Sequence, residues 1–61
     1  MNSEAARLLT AEDLADRWQV KPTSIYQWTR EGRIPAVRMG RLYRYRIEAV
    51  LEFEAAGGMD D

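Results

Sequence analysis

The chain has 61 residues, with no cysteine and no histidine. That length holds one domain that buries only about 60% of its unfolded surface. Disulfides, thiolate metal sites and a histidine base are excluded, so packing by two Trp, three Tyr and one Phe must hold the fold. A formal charge of −1 conceals segregation: residues 1–16 sum to −3, 17–46 to +7 with Glu31 the one acid, and 47–61 to −5. A cationic middle of that kind is what a polyanion-binding face produces.

Residues 1–8 carry little pattern and are expected to form a flexible N-terminus, followed by one ordered domain over 9–56 and a flexible tail over 57–61. Thr10 and Asp13 have the spacing of a capping box, and Leu9 is placed to staple against Leu14. Leu14, Ala15 and Trp18 recur at helical spacing, which predicts a first helix over 11–18. Gln19-Val20-Lys21 breaks the period, and Pro22 suits the first position of a new helix. Ile25, Trp28 and Thr29 extend that second helix over 22–31, with Gly32 as its stop.

Arg33-Ile34-Pro35 reads as extended. Val37, Met39, Tyr43 and Tyr45 alternate with Arg38 and Arg44 around Gly40, which predicts a β-hairpin. A three-residue loop, Gly40-Arg41-Leu42, is preferred because it places all four apolar side chains on one face. Ile47, Val50, Leu51 and Phe53 predict a third helix over 47–56. The expected fold is mostly α with a small β-hairpin, in the order α-α-β-β-α.

Three residues between the first two helices force a sharp corner, the helix-turn-helix arrangement. Ala15 is small where the helices must cross, and Leu14, Trp18, Val20, Ile25 and Trp28 supply the surrounding apolar contacts. On the second helix, Thr23, Tyr26, Gln27 and Arg30 share an arc of roughly 100°. All four can donate hydrogen bonds. Gln matches an adenine edge in two places, and Arg a guanine edge or a phosphate. Lys21, Ser24 and the amides at the helix start add phosphate-holding groups. Arg38, Arg41 and Arg44, flanked by Arg33 and Arg46, arm the hairpin for backbone or minor-groove contact.

Catalytic readings find no support. Ser24 has no histidine to activate it, and Glu12, Asp13 and Asp16 do not form a convincing metal cluster. No enzyme activity, metal or cofactor is expected. No apolar run is long enough to span a bilayer, and Met1-Asn2-Ser3-Glu4 lacks signal-peptide order, so no membrane contact and a cytoplasmic location are expected.

The run Leu9 to Ala15, then Val20, then Ser24-Ile25-Tyr26-Gln27-Trp28, then Gly32 to Arg41 and Tyr43-Arg44-Tyr45 resembles the excisionase-like branch of the MerR-type winged helix-turn-helix domains. The resemblance covers residues 9–54. It implies a recognition helix at 22–31 in the major groove and a wing at 36–45 on the backbone or minor groove. It also implies a DNA-binding role, either as an excisionase (a recombination directionality factor assisting an integrase, on phage or other mobile DNA) or as a small transcriptional regulator. Two departures stand out. That family often has glycine where Gln19 stands; a positive φ there would cost glutamine on the order of 1 kcal/mol. It often has a serine or threonine cap where Lys21 stands, and a missing cap costs about 1 kcal/mol.

The chain shows no counterpart of the coiled coil and ligand domain of full-length MerR regulators, so no small-molecule effector is expected. A single module buries only roughly 600–1,000 Å² on DNA, which points to several copies on repeated sites or to a partner such as an integrase. A protein-interaction adaptor of the same fold, anchored by Leu51 and Phe53, is the alternative. RNA binding is weaker, because it needs Tyr43 and Tyr45 exposed for base stacking.

Overall fold

A computed structural model describes residues 8–59, and expectations for residues 1–7 and 60–61 lie outside the described residues. The elements in chain order are β1 (Leu8–Leu9), α1 (Ala11–Trp18), α2 (Pro22–Arg30), β2 (Val37–Met39), β3 (Leu42–Arg46) and α3 (Ile47–Ala55). The α-α-β-β-α order follows the sequence expectation and makes a winged helix-turn-helix. One element was not expected. Leu8 and Leu9 pair antiparallel with Arg46 and Tyr45, so the sheet has three strands in the order β1-β3-β2.

Helix α1 starts where its cap dictates. Thr10 Oγ1 accepts from the Asp13 amide at 3.0 Å, and Asp13 Oδ2 accepts from the Thr10 amide at 3.0 Å. This reciprocal pair satisfies two amides that a bare helix end leaves open. Helix α2 begins with Pro22 at its first position, but Lys21 makes no side-chain cap. It ends one residue earlier than expected, with Glu31 as C-cap. Gly32, at φ +74°, donates to the Thr29 carbonyl, and Arg33 donates to that of Trp28. Helix α3 likewise ends one residue short of expectation, at Ala55, with Ala56 as its C-cap.

The same closure ends α1, with a non-glycine residue in the left-handed position. Gln19 sits at φ +59°, ψ +46°; its amide donates to Asp16 and the Val20 amide to Ala15. The turn needs that conformation to reverse the chain within three residues. A β-carbon there costs about 1–2 kcal/mol, which glycine avoids. Gln19→Gly is therefore expected to stabilise the fold by about 1 kcal/mol, raising the thermal midpoint by roughly 4–8 °C for a domain of this size. A variant that melts at or below the parent temperature contradicts this account of the turn.

The core lies where α1, α2, the sheet and α3 meet. Ala11, Leu14, Ala15, Ile25, Ile34, Tyr45 and Val50 are buried, and Leu9, Trp18, Val20, Tyr26, Trp28, Tyr43, Phe53 and Met59 pack around them. Met59 thus ties part of the expected tail back to the domain. Ala15 is 2% exposed, as a close crossing of α1 and α2 requires. Tyr45 is fully buried, and its hydroxyl lies 2.7 Å from Thr29 Oγ1. Thr29 spends its single hydroxyl proton on the Ile25 carbonyl, so Tyr45 is the donor. Burial pushes the Tyr45 phenol up, with Tyr26, Tyr43 and Glu12 adding to the rise. The group stays a donor at neutral pH and locks α2 to β3.

Helix α3 is clasped to α1 by one carboxylate. Glu54 Oε2 accepts from Arg17 Nε at 2.7 Å and Trp18 Nε1 at 2.6 Å, and Oε1 accepts from Arg17 Nη2 at 2.8 Å. The rings of Trp18 and Phe53 pack beside it with centroids 5.6 Å apart. The Arg17 guanidinium, helped by the Trp18 donor, pushes the Glu54 carboxyl down to about 2 from its ordinary 4.5. A carboxyl with a lowered folded-state pKa lends stability that is complete above its unfolded value and fades as pH falls through the folded one. Glu54→Gln is accordingly expected to melt below the parent near neutral pH. The gap should narrow from about pH 4.5 downward and close near pH 2. Thermal midpoints across that range check it; a gap independent of pH would show that the clasp is not ionic.

Candidate nucleic-acid interface

Apart from Arg17 on α1, the exposed cations lie on α2 and its N-cap, on the hairpin, and on the segment that joins them. Helix α2 is held by Ile25 underneath and by the Thr29–Tyr45 bond, which fixes what its other side presents. Thr23, Gln27 and Arg30 are exposed, as is Lys21 at the N-cap; Ser24 is half-buried. Tyr26 is also half-buried and packs on the core, so only part of it faces outward. Lys21 has no capping side chain, and Pro22 has no amide proton, so the start of α2 offers its field to an anion.

Glu31 stands at the other end of this face. Its Oε2 accepts from Gln27 Nε2 at 3.1 Å, and its Oε1 lies 3.5 Å from Arg33 Nη1. The one acid between Arg17 and Arg46 is therefore attached to two of the candidate contact residues. Arg17, by contrast, is committed to Glu54 on the α1–α3 side.

The hairpin differs from the sequence expectation in its register. Val37 pairs with Arg44, Arg38 with Tyr43 and Met39 with Leu42. The loop is the two residues Gly40-Arg41, where a three-residue loop including Leu42 was expected. Gly40 has φ +66° and Arg41 does not have positive φ, which matches a type II′ turn with glycine at its first central position. That turn follows the right-handed twist of the strands, and this preference outweighs the gain from gathering every apolar side chain on one face.

The consequence is a hairpin with cations on both faces. Residues paired across strands, and alternate residues along them, share a face. Arg38, Tyr43, Tyr45 and Leu9 lie on the core side. Val37, Met39, Leu42, Arg44 and Arg46 lie on the other. Arg38 is held over the Tyr43 ring, 5.9 Å from its centroid, and its Nε donates to the Gly40 carbonyl at 3.0 Å. Arg44 is half-buried and its Nη1 donates to the Tyr43 carbonyl at 2.8 Å. Arg41 is exposed at the tip. Arg46 is exposed at the start of α3 and lines a groove of about 210 Å³ with Pro35, Ala36, Val37 and Ala49.

Sequence reasoning missed two features here. Met39 and Leu42 are 50% and 54% exposed at the hairpin tip, whereas sequence alternation places Met39 on the core face. The Gly-first loop was the signal that could have found them. The Gln27–Glu31 link was also readable, since residues four apart on a helix are neighbours.

Among the described residues, no group of three or more acidic residues is placed to hold a metal ion. No helix among them is long and apolar enough to cross a membrane. A family model described as a helix-turn-helix domain matches residues 8–57. No curated protein and no solved structure matches the chain.

Proposed function

The chain belongs to the helix-turn-helix domain family, and from that premise we propose that it reads specific sequences in duplex DNA. Helix α2 enters the major groove with Thr23, Gln27 and Arg30 toward base edges. Lys21 and the start of α2 hold a phosphate. The hairpin arginines Arg38, Arg41 and Arg44, with Arg33 and Arg46 at its flanks, follow the backbone or the minor groove. The observation that carries this reading is the outward face of α2: Lys21, Thr23, Gln27 and Arg30 are all exposed, backed by a buried Ile25.

The role proposed is that of an excisionase assisting an integrase, or of a small transcriptional regulator, without chemistry of its own. One module contacts little DNA, so further copies on repeated sites or an integrase complete the binding. The adaptor reading is less well supported: Leu51 is exposed, but the Phe53 ring is packed on Trp18. Tyr45 is unavailable for base stacking because it is buried.

Selection from random duplex DNA, followed by titration of the recovered site against salt, tests the proposal. About five phosphate contacts give a slope of log K on log salt near −4.5. Arg41→Ala is expected to weaken binding to all sequences alike and to flatten that slope by about 1. No recovered site, or a flat slope, favours the adaptor. An integrase beside the source locus would favour excision over regulation.

A further inference from the structure

We infer that the tip of the hairpin is an apolar wedge: Met39 and Leu42 enter the minor groove between base pairs and kink the duplex. This rests on the DNA-binding reading above and adds a deformation to it. The two-residue loop makes Met39 and Leu42 a cross-strand pair on the face turned away from the core. They are two of the three exposed large apolar residues among the described residues. Single exposed apolar residues are ordinary; a cross-strand pair at the end of a hairpin whose outer strand, β2, is a sheet edge is an aggregation hazard that folds usually avoid.

Their surroundings select the occupant. The hairpin and its flanks, residues 36–46, carry Arg38, Arg41, Arg44 and Arg46 and no acid. Arg38 and Arg44 are fixed by bonds to the hairpin backbone, so the cations frame the pair. A polyanion with an apolar interior matches that frame. The competing occupant is a second copy, whose exposed Leu51 sits on α3 near Glu48 and Glu52. A hairpin tip against one leucine falls short of the roughly 1,000 Å² that a specific protein interface needs.

Size supports a kink over simple insertion. The minor groove of B-DNA is about 6 Å wide, and two strands about 4.8 Å apart already fill it before side chains are added. The groove must open, and prying base pairs apart with Met or Leu side chains opens it while bending the duplex by about 20–90°. Pyrimidine–purine steps unstack most readily, so the wedge adds a preference at a step whose edges it does not read.

The test uses the full chain and a duplex recovered by the selection above. The bend is read from end-to-end energy transfer between dyes on the duplex ends. The parent is expected to bend it, and replacing a pyrimidine–purine step under the hairpin by a stiff A-tract should weaken binding several-fold. The double variant Met39→Thr/Leu42→Thr keeps strand-forming residues at both positions. It should melt within a few degrees of the parent, keep the salt slope, lose more than half the bend and become indifferent to the A-tract. A parent that binds without bending overturns the wedge and leaves the DNA reading standing, as does a variant that bends equally. Failure to bind any duplex overturns both. Self-association of the parent without DNA, abolished in the variant, overturns the wedge in favour of a contact between copies.

Discussion

Leu14→Ala is expected to cost about 2–5 kcal/mol, enough to leave much of the protein unfolded at 37 °C. Leu14 is fully buried on α1, in a core that has only seven buried members among the described residues. A chain of this length has roughly 3–9 kcal/mol of total stability. The truncation removes apolar contacts that α1 makes beneath α2 and β3, and a core this thin has little other side-chain mass to collapse into the gap. Thermal and urea denaturation followed by far-UV circular dichroism measure the loss. Leu42→Ala supplies the contrast. Leu42 is 54% exposed, so the same chemical change should shift stability by no more than about 0.5 kcal/mol. If both variants melted alike, the division between core and hairpin tip would be mistaken.

That division marks where the sequence was readable and where it was not. Elements governed by near neighbours could be read directly. The Thr10–Asp13 cap, the Pro22 start and the spacing of Leu14, Ala15 and Trp18 are local rules, and α1 spans the residues they indicate. Pairings between distant residues could not. A two-residue strand has no period to detect, and Leu8–Leu9 becomes one only because Tyr45 and Arg46 offer an open edge. The clasp on Glu54 joins residues 37 apart in sequence. The hairpin register failed for a different reason. Alternation alone puts every apolar residue on the core face, whereas the turn geometry at Gly40 decides the faces and turns Met39 outward.

The candidate interface divides in the same way. The outward face of α2 follows from helical spacing. The arrangement of the hairpin cations does not, because it depends on the register. With Arg38 on the core side and Arg44 and Arg46 on the other, the hairpin is not a flat cationic plate. It is a ribbon with charge on both faces and apolar groups at one end, a shape suited to lying within a groove more than across its rim.

Gln27→Ala is expected to reduce discrimination between the preferred duplex and a scrambled one by about 1–3 kcal/mol, a roughly fivefold to 150-fold loss. The reason lies in the link to Glu31. An adenine edge needs one donor and one acceptor from the same amide, so the amide must be presented in a fixed plane. Glu31 Oε2 takes one Gln27 amide proton at 3.1 Å, which leaves the Gln27 carbonyl and the second proton directed away from it. If α2 docks as proposed, this carboxylate, beside Gln27 and Arg33, would repel the phosphates that pass it. It should therefore weaken binding to every duplex while sharpening the choice among them. Glu31→Ala is expected to tighten binding to the scrambled duplex and to lower discrimination. With Arg33 released from its 3.5 Å pairing, the salt slope should steepen by about 1. Dissociation constants of the parent and both variants on the two duplexes decide the matter, compared at one salt concentration for discrimination and across a salt series for the slope. Equal losses for Gln27→Ala on both duplexes would mean that the side chain holds backbone, and the major-groove role of α2 would fail with it.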